Sequence, residues 1–458
     1  MKLFKTLAID DPGRLVFGRA AHPLKTRRGL TIGGGLVHPE LNFTLPVMEI
    51  SASTFPEIRR IYHDVAEDAC RRALELECEG FVVELEFLIE MTQNPAWCGE
   101  LTAIVDEVLE SHFAARGLKS AVRATPNDLR ELVRPPLMRS GEHFENMLRA
   151  FESCAEQGAE LLSVESTGGK EVHDEALLNA DTASVVFALG VLGYRDMTFL
   201  WARIKDVASR LGVTPAGDTA CGFGNTAMVL AEKGFIPKVF AAVVRAMSAV
   251  RSLAAYEQGA AGPGKDCAYE NVVLKALTGF PMSMEGKTAA CAHSSPVGNI
   301  MAAACDLWSN ESVQNVKLLG GMAPTVSLEQ LIYDCRLMNT AARKGQAEVL
   351  QGMFVDSDYG RDPQSVVLAP RNAIRLAKVI AAADGPYRAT RDAGLEAVAI
   401  LRQAEPEFPG LIPAREKPWL DRVEKALASL PDNEDDFIAQ HISVIEKGKF
   451  LPKEYGLN

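Results

Sequence analysis

The chain has 458 residues, 47% of them hydrophobic, so it is long enough and apolar enough to bury a large core. Its 60 acidic residues outnumber its 48 Lys and Arg residues, and the net charge of −12 argues against nucleic acid as the main partner. The first 20 residues lack the apolar stretch of a signal peptide, and no run of 18 apolar residues occurs, so we expect a cytoplasmic protein.

From about residue 57 to 345, amphipathic helical patterns alternate with short apolar runs. Strands are predicted at 80–88, 118–126, 159–167, 213–219, 252–257, 281–286 and 315–321. Helices are predicted at 55–76, 95–117, 139–158, 196–212, 236–251, 270–279, 295–310 and 325–345. Strict alternation implies an α/β fold with a parallel sheet, and an eighth strand fits within the first 56 residues. We expect a (β/α)8 TIM-type barrel, with a doubly wound open sheet as the alternative.

After about residue 346 the strand pattern ends. Four helical patterns follow, joined by proline-rich connections, at 372–385, 391–405, 419–430 and 435–448. The predicted organisation is an N-terminal segment at 1–56 that joins the barrel, a catalytic barrel at 57–345 and a helical C-terminal extension at 346–458. The extension either covers the barrel or helps to hold a partner, and the sequence leaves both roles open.

Two short motifs resemble phosphate-binding loops but fail in detail. "MEGKT" (284–288) resembles the end of a P-loop, which needs a glycine where Pro281 stands. "GFGNTA" (222–227) matches a dinucleotide-binding fingerprint, which also needs an acidic residue about 20 positions later. Residues 240–250, "FAAVVRAMSAV", contain none, so a nicotinamide cofactor is not expected.

The nine cysteines are widely spread and form no C-x-x-C pair, so a disulfide framework is not expected. Glu165, Cys221 and Cys267 each come where a predicted strand has passed into its loop. The C-terminal strand ends of a parallel barrel share one rim, which would bring these side chains together. One carboxylate and two thiolates form a sensible zinc ligand set with one open position. The alternative is two buried thiols and a surface glutamate.

Long segments around these residues closely resemble the methanol:corrinoid methyltransferases of methanogens and acetogens. They are "LLSVESTGGKEV", "AGDTACGFGNTAM", "SLAAYEQGAAGPGKDCAYENVVLKALTGFPMSMEGKT" and "CDLWSNESVQN". That family is a (β/α)8 barrel whose zinc is held by a glutamate and two cysteines. The resemblance implies that Glu165, Cys221 and Cys267 hold zinc, and that the glycines beside Cys221 let the backbone approach the metal and its substrate.

The resemblance further implies transfer of a methyl group from methanol to the Co(I) corrinoid (cobalamin) of a partner protein, a reaction of one-carbon metabolism. Zinc bonded to the methanol oxygen would act as a Lewis acid, and the corrinoid would be the nucleophile. Asp181, Asp218 and His293 are candidates for orienting the ligands or handling the proton, with ordinary structural roles as the alternative. Lys170 and Lys265 fall in the rim loops, where they either steady anionic groups or stay solvated.

Two segments depart from the family. Where the methanol enzymes carry histidines in the segments matching "ELEF" and "VRAT", this chain has Phe87 and Ala124. If these residues line the pocket, it is less polar, and an aryl or other methyl ether becomes the alternative substrate. A zinc hydrolase is a further alternative, although no two histidines form an H-x-x-x-H pair. A corrinoid carrier is disfavoured because no D-x-H-x-x-G motif occurs.

The partners follow from this reaction. The chain carries no corrinoid-binding motif, so we expect a separate corrinoid protein to dock over the rim of the strand-loop units. The extension after residue 346 is a candidate for holding that protein. Self-association is also expected, because homo-oligomers are common among soluble enzymes.

Overall fold

The computed structural model describes residues 4–267, 269–287, 296–313, 317–318, 321–445 and 448–457. The strands are β1 (Arg19–Lys25), β2 (Thr31–Gly34), β3 (His38–Thr44), β4 (Gly80–Glu86), β5 (Lys119–Thr125), β6 (Leu161–Val164), β7 (Thr214–Asp218), β8 (Ser283–Glu285), β9 (Leu307–Val313), β10 (Lys317–Leu318) and β11 (Gly321–Met322).

The α-helices are α1 (Phe55–Glu75), α2 (Ile89–Thr92), α3 (Pro95–Arg116), α4 (Glu142–Glu156), α5 (Lys170–Leu178), α6 (Thr182–Val186), α7 (Tyr194–Leu211), α8 (Thr226–Glu232), α9 (Lys238–Glu257), α10 (Asn271–Thr278), α11 (Gly298–Ala302), α12 (Ala323–Arg343), α13 (Ala347–Asp358), α14 (Pro363–Leu368), α15 (Pro370–Ala382), α16 (Pro386–Ala404), α17 (Lys417–Ala428) and α18 (Glu434–His441). Short π-helical turns span Phe187–Gly193 and Cys221–Asn225, and 3₁₀ turns span Leu129–Leu132 and Pro452–Tyr455.

Seven strands form one parallel sheet in the order β7-β6-β5-β4-β3-β9-β8. The order follows the chain, and β3, the first of the seven, pairs with β9, the last, so the sheet curls round on itself. A doubly wound sheet instead reverses its order at a switch point, so this topology does not support that alternative. The sheet is that of a TIM-like α/β fold, and β3 is the strand expected within the first 56 residues.

A glycine-rich segment, residues 261–266, lies between the two edge strands of this sheet. The backbone N–H groups of Ala261 and Gly262 donate to carbonyls of β7 at 2.8 and 2.9 Å. On the other side, the Gly264 carbonyl accepts a hydrogen bond from the backbone N–H of Ser283 in β8 at 3.2 Å. The segment therefore occupies the place of a strand between β7 and β8.

Two predicted elements between β7 and β9 are wrong, and a third prediction is tested only in part. Residues 252–257, predicted as a strand, continue α9, because alanine and leucine favour a helix and a short apolar run does not distinguish the two structures. Residues 295–310, predicted as one helix, include the short α11 and the start of β9 at the buried Leu307. The predicted strand at 315–321 lies partly outside the described residues, and its described ends belong to the separate β10-β11 pair.

Three helices of the region after residue 346 pack on the outside of α9 and α10. Within the described residues, α14 and α16 pack against α9, and α15 packs against α10. Gly394 of α16 allows a close approach, since a β-carbon there would lie 2.9 Å from the sulfur of Met247 in α9. This packing fits the first of the two roles predicted for the region, while the predicted domain boundaries at 57 and 346 stay a prediction.

Two helical stretches are long and apolar enough to cross a membrane by length and composition alone. They are Thr182–Leu211 and Lys238–Glu257, and 72% and 100% of their most apolar windows are buried within the protein. Burial of this kind is typical of helices in a protein core. The second stretch is α9, whose Arg245 and Arg251 are buried against polar groups of the loops that carry Cys221 and Glu165.

Candidate metal centre

The structure brings the three predicted ligands together. Glu165 directly follows β6, Cys221 lies three residues after the end of β7, and Cys267 directly follows the segment 261–266. A carboxylate oxygen of Glu165 and the two sulfur atoms all lie within 4.8 Å of one another. The Cys267 thiol donates a hydrogen bond to Glu165 Oε1 at 2.8 Å. These side chains form a possible metal site.

The chemistry of this donor set fits zinc. Two thiolates favour zinc over magnesium or calcium, and three protein ligands leave a fourth position for a substrate. Burial raises the pKa of the Cys267 thiol well above its usual value, so a cation is needed to hold it as a thiolate. A hydrogen bond from Cys267 lowers the pKa of Cys221, but burial and the Glu165 carboxylate outweigh it and the net pKa is raised.

The three ligands line a cavity of about 260 Å³ at the C-terminal ends of the strands. The cavity is also lined by Asn42, Glu86, Phe87, Leu88, Asn127, Lys265, Asp266 and Glu285. A second cavity, of about 190 Å³, shares Glu86, Phe87, Asn127 and Glu165 with the first. A larger cavity of about 390 Å³ lies between the N-terminal segment and the helical extension, and none of the three ligands lines it. The site therefore opens on two small cavities rather than on this larger one.

Sequence reasoning missed most of the polar groups in the first cavity. Asn42, Glu86 and Glu285 lie at or near the C-terminal ends of β3, β4 and β8, where the functional residues of a barrel are found. The strand ends were a usable signal for Glu86 and Glu285. Asn42 had none, because β3 lies in the region whose pattern is least regular.

Lys265 is buried among acidic side chains and is not solvated. Its ammonium lies 2.9 Å from Glu84, 2.5 Å from Asp266 and 3.4 Å from both Glu86 and Glu165. Burial lowers the pKa of Lys265, but these carboxylates outweigh burial and raise the pKa well above its usual value. Lys265 therefore stays charged beside Glu165, in the first of its two predicted roles.

Glu86 is a side chain of the first cavity that titrates near neutral pH. Its carboxylate accepts a hydrogen bond from Asn42 Nδ2 at 3.1 Å and lies 3.4 Å from Lys265. Burial raises the pKa of Glu86 to about 7, and the nearby charge of Glu165 adds to the rise. At neutral pH the group is divided between acid and carboxylate, so it can give or accept a proton.

Asp218 and Asp181 hold backbone segments in the structure. Asp218 is fully buried and accepts hydrogen bonds from the Ser166 backbone N–H at 3.1 Å and from Trp201 Nε1 at 2.8 Å. It thereby ties the loop after β6 to the end of β7. Asp181 is the N-cap of α6 and accepts hydrogen bonds from its first turn. Neither carboxylate lines the two cavities at the ligands, so their positions favour the structural alternative.

Some of the remaining predicted residues line the cavities at the ligands and others do not. Lys170 lines the second cavity and pairs with Asp174. Phe87 is 1% exposed and lines both cavities, whereas Ala124 is buried within β5 and lines neither. His293 lies outside the described residues, so its role stays a prediction. Of the two residues expected to make the pocket less polar, only Phe87 lines it.

Known proteins resemble this chain over its whole length. Residues 1–456 match the family model described as methanol-cobalamin methyltransferase B subunit. A methanol–corrinoid protein co-methyltransferase from Methanosarcina barkeri (strain Fusaro) is 38% identical over 462 residues, covering 99% of each chain. A chain in the crystal structure of the methanol:cobalamin methyltransferase complex MtaBC from Methanosarcina barkeri superposes with a TM-score of 0.95 at 36% identity, with full coverage of both chains. The chain therefore belongs to the methanol-cobalamin methyltransferase B-subunit family.

Proposed function

We propose that this chain transfers the methyl group of methanol to the Co(I) corrinoid of a partner protein, with zinc held by Glu165, Cys221 and Cys267. The observation that carries the proposal is the convergence of one carboxylate and two thiols within 4.8 Å, at a cavity, in a member of this family. The name of the 38% identical relative, a methanol–corrinoid protein co-methyltransferase, supports the same reaction.

In this reaction the carbon–oxygen bond of methanol breaks and a carbon–cobalt bond forms with the electron pair of Co(I). The oxygen leaves as water after it accepts a proton. Zinc, when bound, would supply Lewis acidity that draws electron density from the alcohol oxygen. Glu86, whose pKa is about 7, supplies the proton in its acid form. Asn42 and Asn127 offer hydrogen bonds to the hydroxyl, and Phe87 provides an apolar wall for the methyl group.

Methanol is the first substrate of this proposal. The polar side chains around the cavity suit a small alcohol, and the relatives are named for methanol. A methyl ether is the second candidate, and the observation that favours it is the apolar ring of Phe87 at both cavities. Because either donor presents an oxygen to the same metal site, the ligand set does not distinguish them.

Side-by-side assays distinguish the two donors. The zinc-loaded protein is mixed with Co(I) corrinoid protein and either methanol or a methoxybenzoate, and the absorbance change on methylation of cobalt is followed. The expected result is methylation with methanol and little or none with the ether. Turnover of the ether alone would overturn the choice of methanol and leave the metal site unaffected.

The corrinoid protein is proposed to dock over the C-terminal rim. The solved relative is named as a complex, which supports a separate partner. Apolar side chains project from the loops after β3, β4 and β5, where Val47 is 99%, Leu88 36% and Leu132 42% exposed. Leu88 also lines the cavity, so at least this exposed side chain borders the entrance. Exposed apolar groups around a functional opening are typical of a protein interface.

We also propose that residues 261–266 act as the eighth strand and close the barrel. The hydrogen bonds of this segment to β7 and β8 support that closure. Hydrogen exchange provides a test, since the amides of Ala261 and Gly262 should be protected as well as those of β7. Fast exchange of both amides would contradict this closure and indicate an open sheet. Cytoplasmic location and self-association remain proposals from the sequence, tested by cell fractionation and by light scattering.

A further inference from the structure

The sulfur of Cys221 accepts a hydrogen bond that the proposed reaction does not use. Asn225 closes the same π-helical turn, and its Nδ2 donates to Cys221 Sγ at 3.1 Å. Asn225 is 3% exposed, so its amide depends on protein partners for its hydrogen bonds. This contact places an amide directly against a proposed metal ligand.

A buried arginine fixes which end of the amide faces the sulfur. Arg245 of α9 donates to Asn225 Oδ1. A guanidinium group has five donors and no acceptor, so the amide oxygen must face Arg245. The amide NH2 must then face Cys221. Asn225 therefore presents a donor to the sulfur, which is what a thiolate requires.

Arg245 is itself fully buried and held by other parts of the chain. Its Nε donates to Gln364 Oε1 at 3.2 Å, and its guanidinium lies 3.9 Å from the Glu270 carboxylate. Glu270 in turn accepts a hydrogen bond at 2.8 Å from the backbone N–H of Ala220, the residue before the ligand. The loop is thus held both at its backbone and at its sulfur.

The glycine at 224 and the helical extension both contribute to this support. A β-carbon on Gly224 would lie 2.9 Å from Arg245 Cζ, so a larger residue would push the arginine away from the loop. This close approach explains a glycine of "GFGNTA" without a dinucleotide. Gln364 belongs to α14 of the extension and is completely buried, so the extension reaches the support of the ligand loop.

We propose that Asn225 is a positioning residue for the metal ligand Cys221, that Arg245 holds it, and that Gln364 of the extension completes this support. The inference rests on the proposed function in one respect, which is that Cys221 binds the metal. A hydrogen bond from Asn225 stabilises the anionic sulfur and fixes its direction. Groups in this relation to a ligand typically change metal affinity by about 10–100-fold when they are replaced.

Metal binding tests the inference directly. Zinc affinity is measured by competition with a chelator, and the thiolate-to-metal charge-transfer band is recorded after loading with Co(II), for the full chain and its variants. Asn225→Ala is expected to bind zinc about 10–100-fold more weakly and to shift the band to lower energy, because the sulfur loses a donor. Asn339→Ala is the matched control, since it removes a part-buried amide that donates to the Val37 carbonyl at 2.9 Å, next to β3 and not next to the ligand loop or α14.

Asn225→Asp separates positioning of the sulfur from a merely structural role. Its carboxylate keeps the partner of Arg245 but cannot donate to a thiolate. Weak zinc binding in this variant supports the inference, whereas wild-type affinity and an unshifted band overturn it. If neither Asn225 variant folds, Gln364→Ala replaces them, and it should produce a smaller shift in the same direction. Unchanged affinity and an unchanged band in Gln364→Ala would contradict the role of the extension.

The two proposals fail in different ways. If the variants shift the affinity and the band as expected, but wild-type protein does not methylate Co(I) corrinoid with methanol, only the proposed function is contradicted. If wild-type protein uses methanol and the Asn225 variants bind zinc as wild type does, only the positioning role is contradicted.

Discussion

The two sides of the curled sheet are built differently. On one side α1, α3 and α4 each bury one stripe and leave the other faces exposed, as α1 does with Ile58 inside and Arg60 outside. On the other side, every residue of α9 from Val239 to Tyr256 and every residue of α10 is buried, because α14, α15 and α16 cover them. We call the side with α1, α3 and α4 the open side and the side with α9 and α10 the covered side. Amphipathic periodicity identifies the helices on the open side, but it loses contrast on the covered side because all faces of those helices are buried.

The covered side also carries the two thiols of the possible metal site. Cys221 precedes α9 in the chain and Cys267 follows it. Arg245 and Arg251 of α9 both reach the loops that hold the ligands. The open side instead supplies Glu86 to the cavity. Substitutions that disturb the covering helices should therefore weaken binding at the proposed metal site. Substitutions on the open side should mainly lower the free energy of unfolding or change proton transfer from Glu86.

Removing the cover should have the largest effect. A chain that ends at residue 345 exposes the apolar outer faces of α9 and α10, which are fully buried in the complete chain. We expect no cooperatively unfolding soluble protein, as measured by thermal denaturation. A truncated protein that unfolds cooperatively and still binds zinc at full occupancy would show that the two sides are independent.

Substitution of one buried arginine on each side allows the two sides to be compared. Arg251 donates to the Ser166 carbonyl at 2.7 Å and lies over the Phe223 ring at 4.1 Å, so it holds both ligand loops. Arg251→Met should lower the free energy of unfolding by about 3–5 kcal/mol and weaken zinc binding, because it leaves buried carboxylates without a compensating charge.

The open-side partner of this comparison is Arg28, which is 1% exposed and pairs with Asp106 at 2.5 Å. Arg28→Met should cost less, because Asp106 is partly exposed, and should leave zinc affinity unchanged. Urea unfolding and chelator competition on both variants check these outcomes. Equal zinc affinity in the two variants would contradict the link between α9 and the ligand loops.

The pH dependence of methyl transfer tests the contribution of the open side. In the proposed reaction the acid form of Glu86 is the proton donor, and its raised pKa of about 7 keeps that form populated up to neutral pH. The rate should therefore hold below pH 7 and fall about tenfold per unit above it. Glu86→Gln should lower the rate about 100-fold and remove this fall. Initial rates measured across this pH range check both expectations. Glu131→Gln changes a side chain of the second cavity and is the control. A wild-type profile in Glu86→Gln would exclude the role.

The smallest effect is expected at the rim. Val47→Asp places a charge on a side chain that is 99% exposed beside the proposed docking surface. Affinity for the corrinoid protein should fall several-fold, about 1 kcal/mol, with methylation of free cobalamin unchanged. Leu337→Asp, 58% exposed on α12, serves as the control. Equal binding by both variants and wild type would place the docking surface elsewhere.

The contrast between the sides explains what could be predicted from the sequence. The strands β4 to β7 and the positions of Glu165 and Cys221 follow from periodicity and from rim geometry. Cys267 lies beside the other two predicted ligands although its strand was predicted wrongly, because 252–257 is helical and the strand-like segment is the glycine-rich run at 261–266. That run has no strand propensity of its own, and its neighbours β7 and β8 impose its pairing.

Contacts between distant residues could not be predicted. Asn225, Arg245 and Gln364 meet across helices that are far apart in the chain, and nothing in their local sequence indicates the pairing. The burial of Lys265 escaped prediction for the same reason, since the carboxylates around it come from β4 and from the loop after β6. A single sequence shows which residues reach the rim, but not which of them pair.

The central claim is that one carboxylate and two thiols of the rim bind zinc. Zinc content after exhaustive dialysis measures it most directly, in wild-type protein, in Cys221→Ala and Cys267→Ala, and in Cys335→Ala as a control that removes a buried free thiol of α12. We predict about one zinc per chain in wild type and in the control, and less than about a tenth of that in each ligand variant. Full zinc occupancy in either ligand variant would contradict the claim.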